Sequence, residues 1–330
     1  MKEILQKLIA HKTLTIQEAT ETMLRIGNGQ CNEVQITAFI TTYLLRQITI
    51  DELIGFKNAL LQMCLPINLG NTISTDIVGT GGDGKNTFNI STLSCIIVAG
   101  AGHKVVKHGN YGITAVSGSS NVLEQLGYTF TNNPSKLLTQ LDKTNICFLH
   151  APLFHPALKN VANVRRNLGL KSIFNLLGPL VNPAQPSHQI IGVYNLEVAR
   201  YYQYVLQQSN STYCIINTLD GYDEISLTTD TKVINNQGEQ IYSPEYLGKR
   251  TVTPSHLYGG NTVAEAAQLF IQIINGNGTW AQNAVVLANA AIAIQNLLPN
   301  LSYAAAFEQA VQSLESGAAK NILNTLINTK

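Results

Sequence analysis

Two segments of this chain combine glycines with residues able to bind an anion, and each lies between a predicted strand and a predicted helix. The first segment, Gly79–Thr87, reads Gly-Thr-Gly-Gly-Asp-Gly-Lys-Asn-Thr. Glycines let backbone N–H groups crowd around a phosphate, and the N-terminus of the following helix adds partial positive charge. This pattern therefore predicts a phosphate-binding loop.

The same glycine segment partly matches two other nucleotide-binding patterns. A dinucleotide-binding fold needs an acidic residue about 20 positions further on, yet no Asp or Glu occurs between Asp83 and Glu124. A P-loop needs Ser or Thr where this chain has Asn86, and Asp83 would repel a triphosphate wrapped by the loop. We reject both patterns, but a tight glycine turn without a ligand stays open on the glycines alone.

The second segment, residues 107–120, again follows a predicted strand and ends at a predicted helix. It combines Lys107 and His108 with three glycines. Amide and hydroxyl groups at Asn89–Thr92 stand at the start of the helix that follows the first segment. Two anion sites at successive strand ends suit a ligand with two separate phosphate groups.

Four strings in the chain resemble the anthranilate phosphoribosyltransferase family. They are Asp76–Thr92, Lys107–Asn110, Val164–Arg166 and Phe174–Ala184, and the likeness runs in the family's order from about residue 3 to beyond residue 320. The resemblance implies an enzyme of tryptophan biosynthesis that transfers the phosphoribosyl group of 5-phosphoribosyl 1-pyrophosphate (PRPP) to anthranilate and releases pyrophosphate. It also implies two Mg²⁺ ions and a homodimer formed through a helical domain.

The resemblance also carries binding roles, residue by residue, onto this chain. The residues expected to contact PRPP are Gly79, Gly82, Asp83, Thr87, Asn89, Ile90, Ser91, Thr92, Lys107, Gly109, Asn110, Thr114 and Ser119. The residues expected to hold anthranilate are Gly79, His108, Asn110 and Arg165, and those expected to hold Mg²⁺ are Ser91, Asp223 and Glu224. No side chain is expected to act as an acid, a base or a nucleophile, so catalysis would rest on positioning and on stabilising the leaving group.

Two of these assignments are weak without the family resemblance. Mg²⁺ prefers carboxylates together with substrate phosphates, but an isolated pair such as Asp223-Glu224 is more often a solvated acidic turn.

The second assignment concerns two arginines. Arg165 and Arg166 are about 100° apart on a predicted helix, so only one of them points easily into a given cleft. A guanidinium grips a carboxylate through two parallel hydrogen bonds. We expect Arg165 to hold anthranilate and Arg166 to lie on the surface.

The second segment departs from the family pattern. Tyr111 stands where the family commonly carries Arg, Thr114-Ala115-Val116 stands where it carries Ser-Ser-Lys, and Asn121 replaces a common Asp. Two cations are therefore missing beside a polyanionic ligand. We expect the site to persist with weaker PRPP binding.

The elements that must position these residues form two modules. Capping-box patterns at Thr15–Glu18 and Thr49–Glu52 begin two of the helices that dominate the first 65 residues. Strands and helices then alternate, which predicts an α/β fold with a mainly parallel sheet flanked by helices. The predicted strands are Thr72–Val78, Lys104–Lys107, Ile146–Leu149, Gln189–Val193 and Tyr213–Ile216.

We predict a small all-helical domain of residues 1–70 with about 160–185, and a larger α/β domain of residues 71–159 and 186–330. A polar hairpin is expected on the surface at residues 231–247. The apolar stretch Trp280–Leu298 is expected to be a buried core helix, because Gln282, Asn283, Asn289 and Gln295 interrupt it.

Composition narrows the function classes. With 45% hydrophobic and 12% charged residues the chain is a folded globular protein. A net charge of +1 provides no basic field for nucleic acid or membrane. Five scattered cysteines and an N-terminus without a signal-peptide pattern predict a cytoplasmic location.

Two alternative functions remain. One is a pyrimidine-nucleoside phosphorylase of the same fold, which the Asp-Glu pair and Phe174–Ala184 disfavour. The other is a non-catalytic nucleic-acid-binding relative, which the net charge disfavours.

Overall fold

The computed structural model describes residues 1–70, 72–112 and 116–329. The chain forms two compact units, one of residues 1–67 and 151–185 and the other of residues 68–150 and 186–330. Within the described ranges the helices and strands are α1 (Lys2–Ile9), α2 (Ile16–Gly27), α3 (Glu33–Leu45), α4 (Ile50–Met63), β1 (Thr75–Gly79), α5 (Ile90–Gly100), β2 (Val105–Gly109), α6 (Ser119–Gln125), α7 (Pro134–Thr144), β3 (Ile146–His150), α8 (Ala151–Phe154), α9 (Lys159–Leu168), α10 (Ile173–Leu177), β4 (His188–Gly192), α11 (Leu196–Gln207), β5 (Thr212–Thr218), β6 (Thr231–Asn235), β7 (Gly238–Tyr242), α12 (Val263–Ile274), α13 (Trp280–Leu297), α14 (Tyr303–Glu315) and α15 (Ala318–Asn328).

The first unit is helical, and both predicted capping boxes are present at the starts of α2 and α4. Glu52 has a second role beyond its cap. Its buried carboxylate also accepts hydrogen bonds from Arg46 Nη2 at 2.5 Å and from the Leu14 N–H at 2.9 Å. The charge is therefore compensated inside the helical unit, as a buried carboxylate requires.

Replacing Glu52 by alanine is expected to lower the free energy of unfolding by about 3 kcal/mol more than replacing Glu18 by alanine. Both variants lose the same kind of helix cap. The Glu52 variant also leaves the Arg46 guanidinium, 13% exposed, without its anion, whereas Lys7 opposite Glu18 is 29% exposed. Urea unfolding of the full chain measures the difference. Equal losses would show that the buried pair adds nothing beyond the cap.

The second unit is built on a sheet with the strand order β3-β2-β1-β4-β5-β6-β7 among the described residues. The first five strands in this order are parallel, which confirms the predicted fold class. β3 is buried along its whole length, as expected for a parallel strand covered on both faces. α13 is buried along most of its length, as predicted for residues 280–298.

The hairpin predicted at residues 231–247 forms, but it is part of the central sheet. β6 pairs antiparallel with β5, and β7 pairs antiparallel with β6. Val233 and Ile234 of β6 are buried, while β7 is largely exposed. The surface prediction was therefore right only for the outer strand, because two apolar residues are enough to attach the inner one to the sheet.

The boundary between the units also differs from the predicted one, since residues 151–159 belong to the helical unit. The chain enters α8 directly after β3, and the Leu65 N–H donates to the Phe154 carbonyl oxygen at 2.8 Å. This hydrogen bond ties the segment to the end of α4.

Among the described residues, no helix is both long enough and apolar enough to cross a membrane.

Candidate active site

The carboxyl ends of β1 and β4 mark the point at which the strand order of the sheet reverses. The chain continues from β1 to β2 on one side, while β4 pairs with β1 on the other. In open α/β sheets, ligands bind outside the carboxyl ends of the strands at such a switch point. Three segments leave from this edge: the first loop (residues 79–89), the second loop (residues 109–118) and the acidic turn (residues 219–226).

The first loop owes its shape to its glycines. Gly81, Gly82 and Gly84 all have φ between 61° and 75°, a region that other residues rarely adopt. Asp83 Oδ1 accepts a hydrogen bond from the Lys85 N–H at 3.0 Å, which closes the turn. Thr87 forms an isolated bridge with Tyr258, so the far end of the loop is also held.

The acidic turn contacts the first loop and the helix that follows it. The Gly81 N–H donates to Asp223 Oδ2 at 2.8 Å. The N–H and the hydroxyl of Ser91 donate to Glu224 Oε1 at 2.9 and 2.6 Å. Ser91 lies in the first turn of α5, where N–H groups lack helical acceptors and anions are favoured. The structure thus brings together the three residues predicted to hold the metal.

Two glycines, paired with each other across β1 and β4, leave the space that Asp223 occupies. The register pairs Gly79 with Gly192. A Cβ atom on Gly79 would lie 2.4 Å from Asp223 Oδ2, and one on Gly192 would lie 1.5 Å from the Asp223 carbonyl oxygen. Gly79 was among the predicted site residues, whereas Gly192 was missed. The available signal was its place at the carboxyl end of a predicted strand.

The two carboxylates of the acidic turn are desolvated although their side chains keep part of their surface open to solvent. Desolvation by the surrounding protein raises the pKa of Asp223, and the charge of Asp83 raises it further. Desolvation, followed by the charge of Asp223, raises the pKa of Glu224. A cation beside this pair would favour its ionised form. The electrostatics therefore fit a metal site.

The donor set also fits Mg²⁺. Mg²⁺ takes oxygen ligands in octahedral geometry and is usually held by one or two carboxylates together with water and substrate phosphates. Asp223 and Glu224 supply two carboxylates on a turn that follows β5. In the described ranges, no group of three or more His, Cys, Asp or Glu side chains is arranged as a complete protein cage for a metal.

The second loop is drawn together at its base. Asn121 Oδ1 accepts hydrogen bonds from the N–H groups of Gly112 and Gly118, at 2.9 and 3.0 Å. Asn89 Nδ2, at the end of the first loop, donates to the Ser117 carbonyl oxygen at 3.1 Å. The two loops therefore contact each other. Thr114, a predicted PRPP contact, lies outside the described residues, as does Ala115.

Tyr111, which stands where the family commonly has Arg, is exposed but bonds to neighbouring side chains of the protein. Its hydroxyl donates to Glu124 Oε1 at 2.9 Å, and its ring meets the His150 ring edge-on with 4.8 Å between centroids. The His150 ring in turn bonds to Ser120 Oγ at 2.8 Å. Tyr111 therefore anchors the second loop and supplies no positive charge.

Lys107 and His108 lie in β2 and are buried. The Lys107 ammonium group donates to the Ile77 carbonyl oxygen at 2.5 Å, so it lies against the backbone of the neighbouring strand β1. Its charge opposes the desolvation that raises the pKa of Asp223. The structure thus gives Lys107 an electrostatic role on the acidic turn.

Arg165 and Arg166 differ in exposure, and Arg166 lies on the surface as predicted. Arg166 is exposed, whereas Arg165 is half-buried in α9 of the helical unit. The Arg165 guanidinium lies 5.4 Å from the centroid of the Phe174 ring, and burial lowers its pKa. A guanidinium packed on an aromatic ring loses less conformational entropy when it grips a carboxylate.

Comparisons with known proteins agree with this geometry. Residues 71–320 match the a/b domain of the glycosyl transferase family, and residues 2–64 match the helical bundle domain of that family. The anthranilate phosphoribosyltransferase of Cytophaga hutchinsonii is 53% identical over 319 residues, which cover 97% of each chain.

Two solved structures share the whole fold. The anthranilate phosphoribosyltransferase from Thermus thermophilus matches with a TM-score of 0.91 and 29% identity over 98% of each chain. The enzyme from Saccharomyces cerevisiae in complex with PRPP and Mg has a TM-score of 0.91 and 26% identity, covering 98% of this chain and 96% of that one.

Proposed function

The chain belongs to the anthranilate phosphoribosyltransferase family, and from that membership we propose that it transfers the phosphoribosyl group of PRPP to anthranilate, giving N-(5-phosphoribosyl)anthranilate and pyrophosphate. This reaction is a step of tryptophan biosynthesis. The relatives named above carry that activity in their names, which favours it over nucleoside phosphorolysis and over nucleic-acid binding.

One observation carries the proposal: the acidic turn is hydrogen-bonded both to Gly81, within the glycine loop, and to Ser91, in the first turn of the helix that follows it. A phosphate bound by the loop would lie beside two carboxylates that need a cation. A pyrophosphate with divalent ions satisfies both requirements. PRPP carries such a pyrophosphate, and the yeast relative was crystallised with PRPP and Mg.

We propose two Mg²⁺ ions, held by Asp223, Glu224 and Ser91 together with the pyrophosphate oxygens. When bound, the metal neutralises charge on the leaving pyrophosphate. The chain's own groups do the rest. Backbone N–H groups of the first loop orient the pyrophosphate, and the second loop through Ser119 holds the 5-phosphate.

The transfer itself needs no strong base. The bond between C1 of the ribose and the pyrophosphate oxygen breaks while positive charge builds up on the ring, as in glycoside chemistry. The neutral amine nitrogen of anthranilate forms the new bond to C1 and then loses a proton. Asn110 and His108 border the second loop where they could position anthranilate, and Arg165 is proposed to hold its carboxylate.

Replacing Arg165 by alanine is expected to raise the KM for anthranilate about tenfold or more, because a charge-assisted bidentate hydrogen bond is lost. The matched control is Arg166→Ala, which removes the same charge from the exposed neighbouring position and should leave this KM unchanged. Steady-state kinetics at saturating PRPP separates KM from kcat. An Arg165→Ala variant with the wild-type KM would remove the assigned role.

The direct test of the function mixes purified protein with PRPP, Mg²⁺ and anthranilate and follows the loss of anthranilate fluorescence. Fluorescence should fall only when all three are present. A parallel assay offers thymidine or uridine with inorganic phosphate and should show no phosphorolysis. Stable fluorescence in the complete mixture, or release of the pyrimidine base, would contradict the proposal.

A cytoplasmic homodimer joined through the helical unit completes the proposal. Support for the interface comes from apolar side chains at the surface of that unit: Ile9, Val34 and Leu45 are 66%, 77% and 80% exposed. A contiguous apolar surface favours association, and pairing of the helical unit with a second copy would cover these side chains. Light scattering coupled to size-exclusion chromatography measures the mass in solution, and a monomer would contradict the dimer.

A further inference from the structure

Asn289 is a polar residue in the buried helix α13, and its side chain is bonded to the acidic turn. Its Oδ1 accepts a hydrogen bond from the Ile225 N–H at 3.0 Å. Its Nδ2 donates to the Ile225 carbonyl oxygen at 2.9 Å and to the Val285 carbonyl oxygen at 2.8 Å. The amide therefore binds both backbone groups of the residue that directly follows Glu224.

The same stretch of α13 also fixes α5, the helix that carries Ser91. Ser94 Oγ donates to the Ile90 carbonyl oxygen at 2.9 Å within α5 and contacts the Val286 carbonyl oxygen of α13 at 3.2 Å. Val286 and Asn289 are three residues apart, so they lie on neighbouring parts of one helix face. α13 thus holds both partners of the hydrogen bonds between Ser91 and Glu224.

A second contact holds the same turn from the sheet. Thr218 Oγ1, at the end of β5, donates to the Glu224 carbonyl oxygen at 2.6 Å. With Asn289 on the helix side and Thr218 on the strand side, both polar groups of the Glu224–Ile225 peptide are hydrogen-bonded. Polar groups that orient metal ligands in this way tune metal affinity without touching the metal.

We propose that Asn289 is a positioning residue for the metal-binding carboxylates. It holds the acidic turn so that Glu224 meets Ser91 and Asp223 meets Gly81. From the sequence alone, Asn289 was interpreted only as a polar interruption of an apolar helix. The inference rests on the proposed function, since it assigns the acidic turn to Mg²⁺ and pyrophosphate.

The test compares Asn289→Ala and Asn289→Ser with the wild type and with Asn283→Ala. Asn283 is an asparagine of the same helix, and its Nδ2 donates to the Gly278 carbonyl oxygen at 3.4 Å, away from the acidic turn.

Calorimetric titration of MgCl₂ into protein with inorganic pyrophosphate should show about 10–100-fold weaker Mg²⁺ binding for both Asn289 variants. The Mg²⁺ concentration for half-maximal turnover should rise by the same factor, while excess Mg²⁺ restores much of kcat. Asn283→Ala should match the wild type in both measurements.

Hydrogen exchange of the peptide that contains residues 222–226 gives a reading without metal. Exchange should be faster in the Asn289 variants, and in the wild type it should slow when Mg²⁺ and pyrophosphate bind. If neither variant folds, exchange in the metal-free wild type decides the matter, because the Ile225 N–H that donates to Asn289 should be protected there, and unprotected exchange would overturn the proposal.

The outcomes separate two failures. Folded Asn289 variants that bind Mg²⁺ and pyrophosphate as tightly as the wild type would overturn the positioning role. A Glu224→Gln variant that binds them as tightly as the wild type would instead refute the metal assignment on which the role depends.

Discussion

The double variant Asp223→Asn, Glu224→Gln is expected to turn over PRPP and anthranilate at least about 1000-fold more slowly than the wild type. Both replacements keep a side-chain oxygen that can accept from Gly81 and from Ser91, so the hydrogen bonds at 2.8 and 2.6 Å can persist. What the variant loses is the pair of negative charges that a divalent cation needs. Initial rates over a range of Mg²⁺ concentrations measure the effect.

The matched control is Asp220→Asn in the same acidic turn. Asp220 is exposed and accepts a hydrogen bond from Thr228 Oγ1 at 2.7 Å. Its replacement removes a charge from the turn without touching the first loop. The control should keep the Mg²⁺ dependence of the wild type, and a double variant with full activity would refute the metal assignment.

The same double variant should be more stable than the wild type in the absence of metal. Desolvation raises the pKa values of both carboxyl groups in the folded chain, the charge of Asp83 raises that of Asp223 further, and the charge of Asp223 raises that of Glu224. The stability that such groups contribute is fully present below their unfolded pKa, about 4, and is lost as the pH rises through the folded values. The wild type therefore loses stability relative to the variant as the solution becomes more alkaline.

Thermal melts in EDTA at a series of pH values measure this difference. The advantage of the variant should be smallest near pH ~4 and grow with pH, and adding Mg²⁺ with pyrophosphate should stabilise only the wild type. A difference in melting temperature that does not change with pH would show that the two carboxylates are adequately solvated in the metal-free protein. Sites that bind charged ligands often carry such a stability cost.

The parts of the site that depend on local sequence were predictable. The first loop was predicted from its glycines, and the structure shows three of them at positive φ. Both capping boxes are local hydrogen-bond patterns with a fixed spacing. The parallel sheet followed from the alternation of strands and helices, and the two loops do leave from neighbouring strands. The glycine turn and the capping boxes depend on contacts between residues that are close in the sequence, whereas the sheet was predicted from the alternation of its elements alone.

The parts that depend on distant contacts could not be predicted. Gly192 matters because Asp223 comes within contact distance of its backbone after the fold has formed, and Asn289 matters because Ile225 lies opposite it. Lys107 was expected to face PRPP, but a parallel strand places its ammonium group on the Ile77 carbonyl of the neighbouring strand. A single sequence marks Gly192 only by its place at the carboxyl end of a predicted strand, and it contains no local signal for the contacts of Asn289 and Lys107.

Gly192→Ala is the second variant for which we expect a large effect. Gly192 has ordinary strand backbone in β4, so the added methyl group causes no backbone strain of its own. Its Cβ atom would lie 1.5 Å from the carbonyl oxygen of Asp223, and the acidic turn would have to move by more than an ångström. We expect a loss of about 3 kcal/mol or more in stability and of at least about 100-fold in kcat/KM.

Two other alanine substitutions separate this steric effect from its alternatives. At Gly79 the new Cβ atom meets only the carboxylate end of Asp223, at 2.4 Å, which can rotate away. Gly79→Ala should therefore weaken Mg²⁺ binding and cost less stability than Gly192→Ala.

The second control is Gly178→Ala. At Gly178 φ is −49° and no atom lies within 4 Å of the added Cβ atom, so alanine should leave the stability unchanged. Because Thr218 and Asn289 bond to Glu224 and Ile225, the two residues that follow Asp223, we expect that the turn cannot yield at Gly192 without releasing Glu224 from Ser91. Urea unfolding and initial rates that place Gly192→Ala level with Gly178→Ala would show that the acidic turn is free to move, and the rigid placement of the two carboxylates would then have to be abandoned.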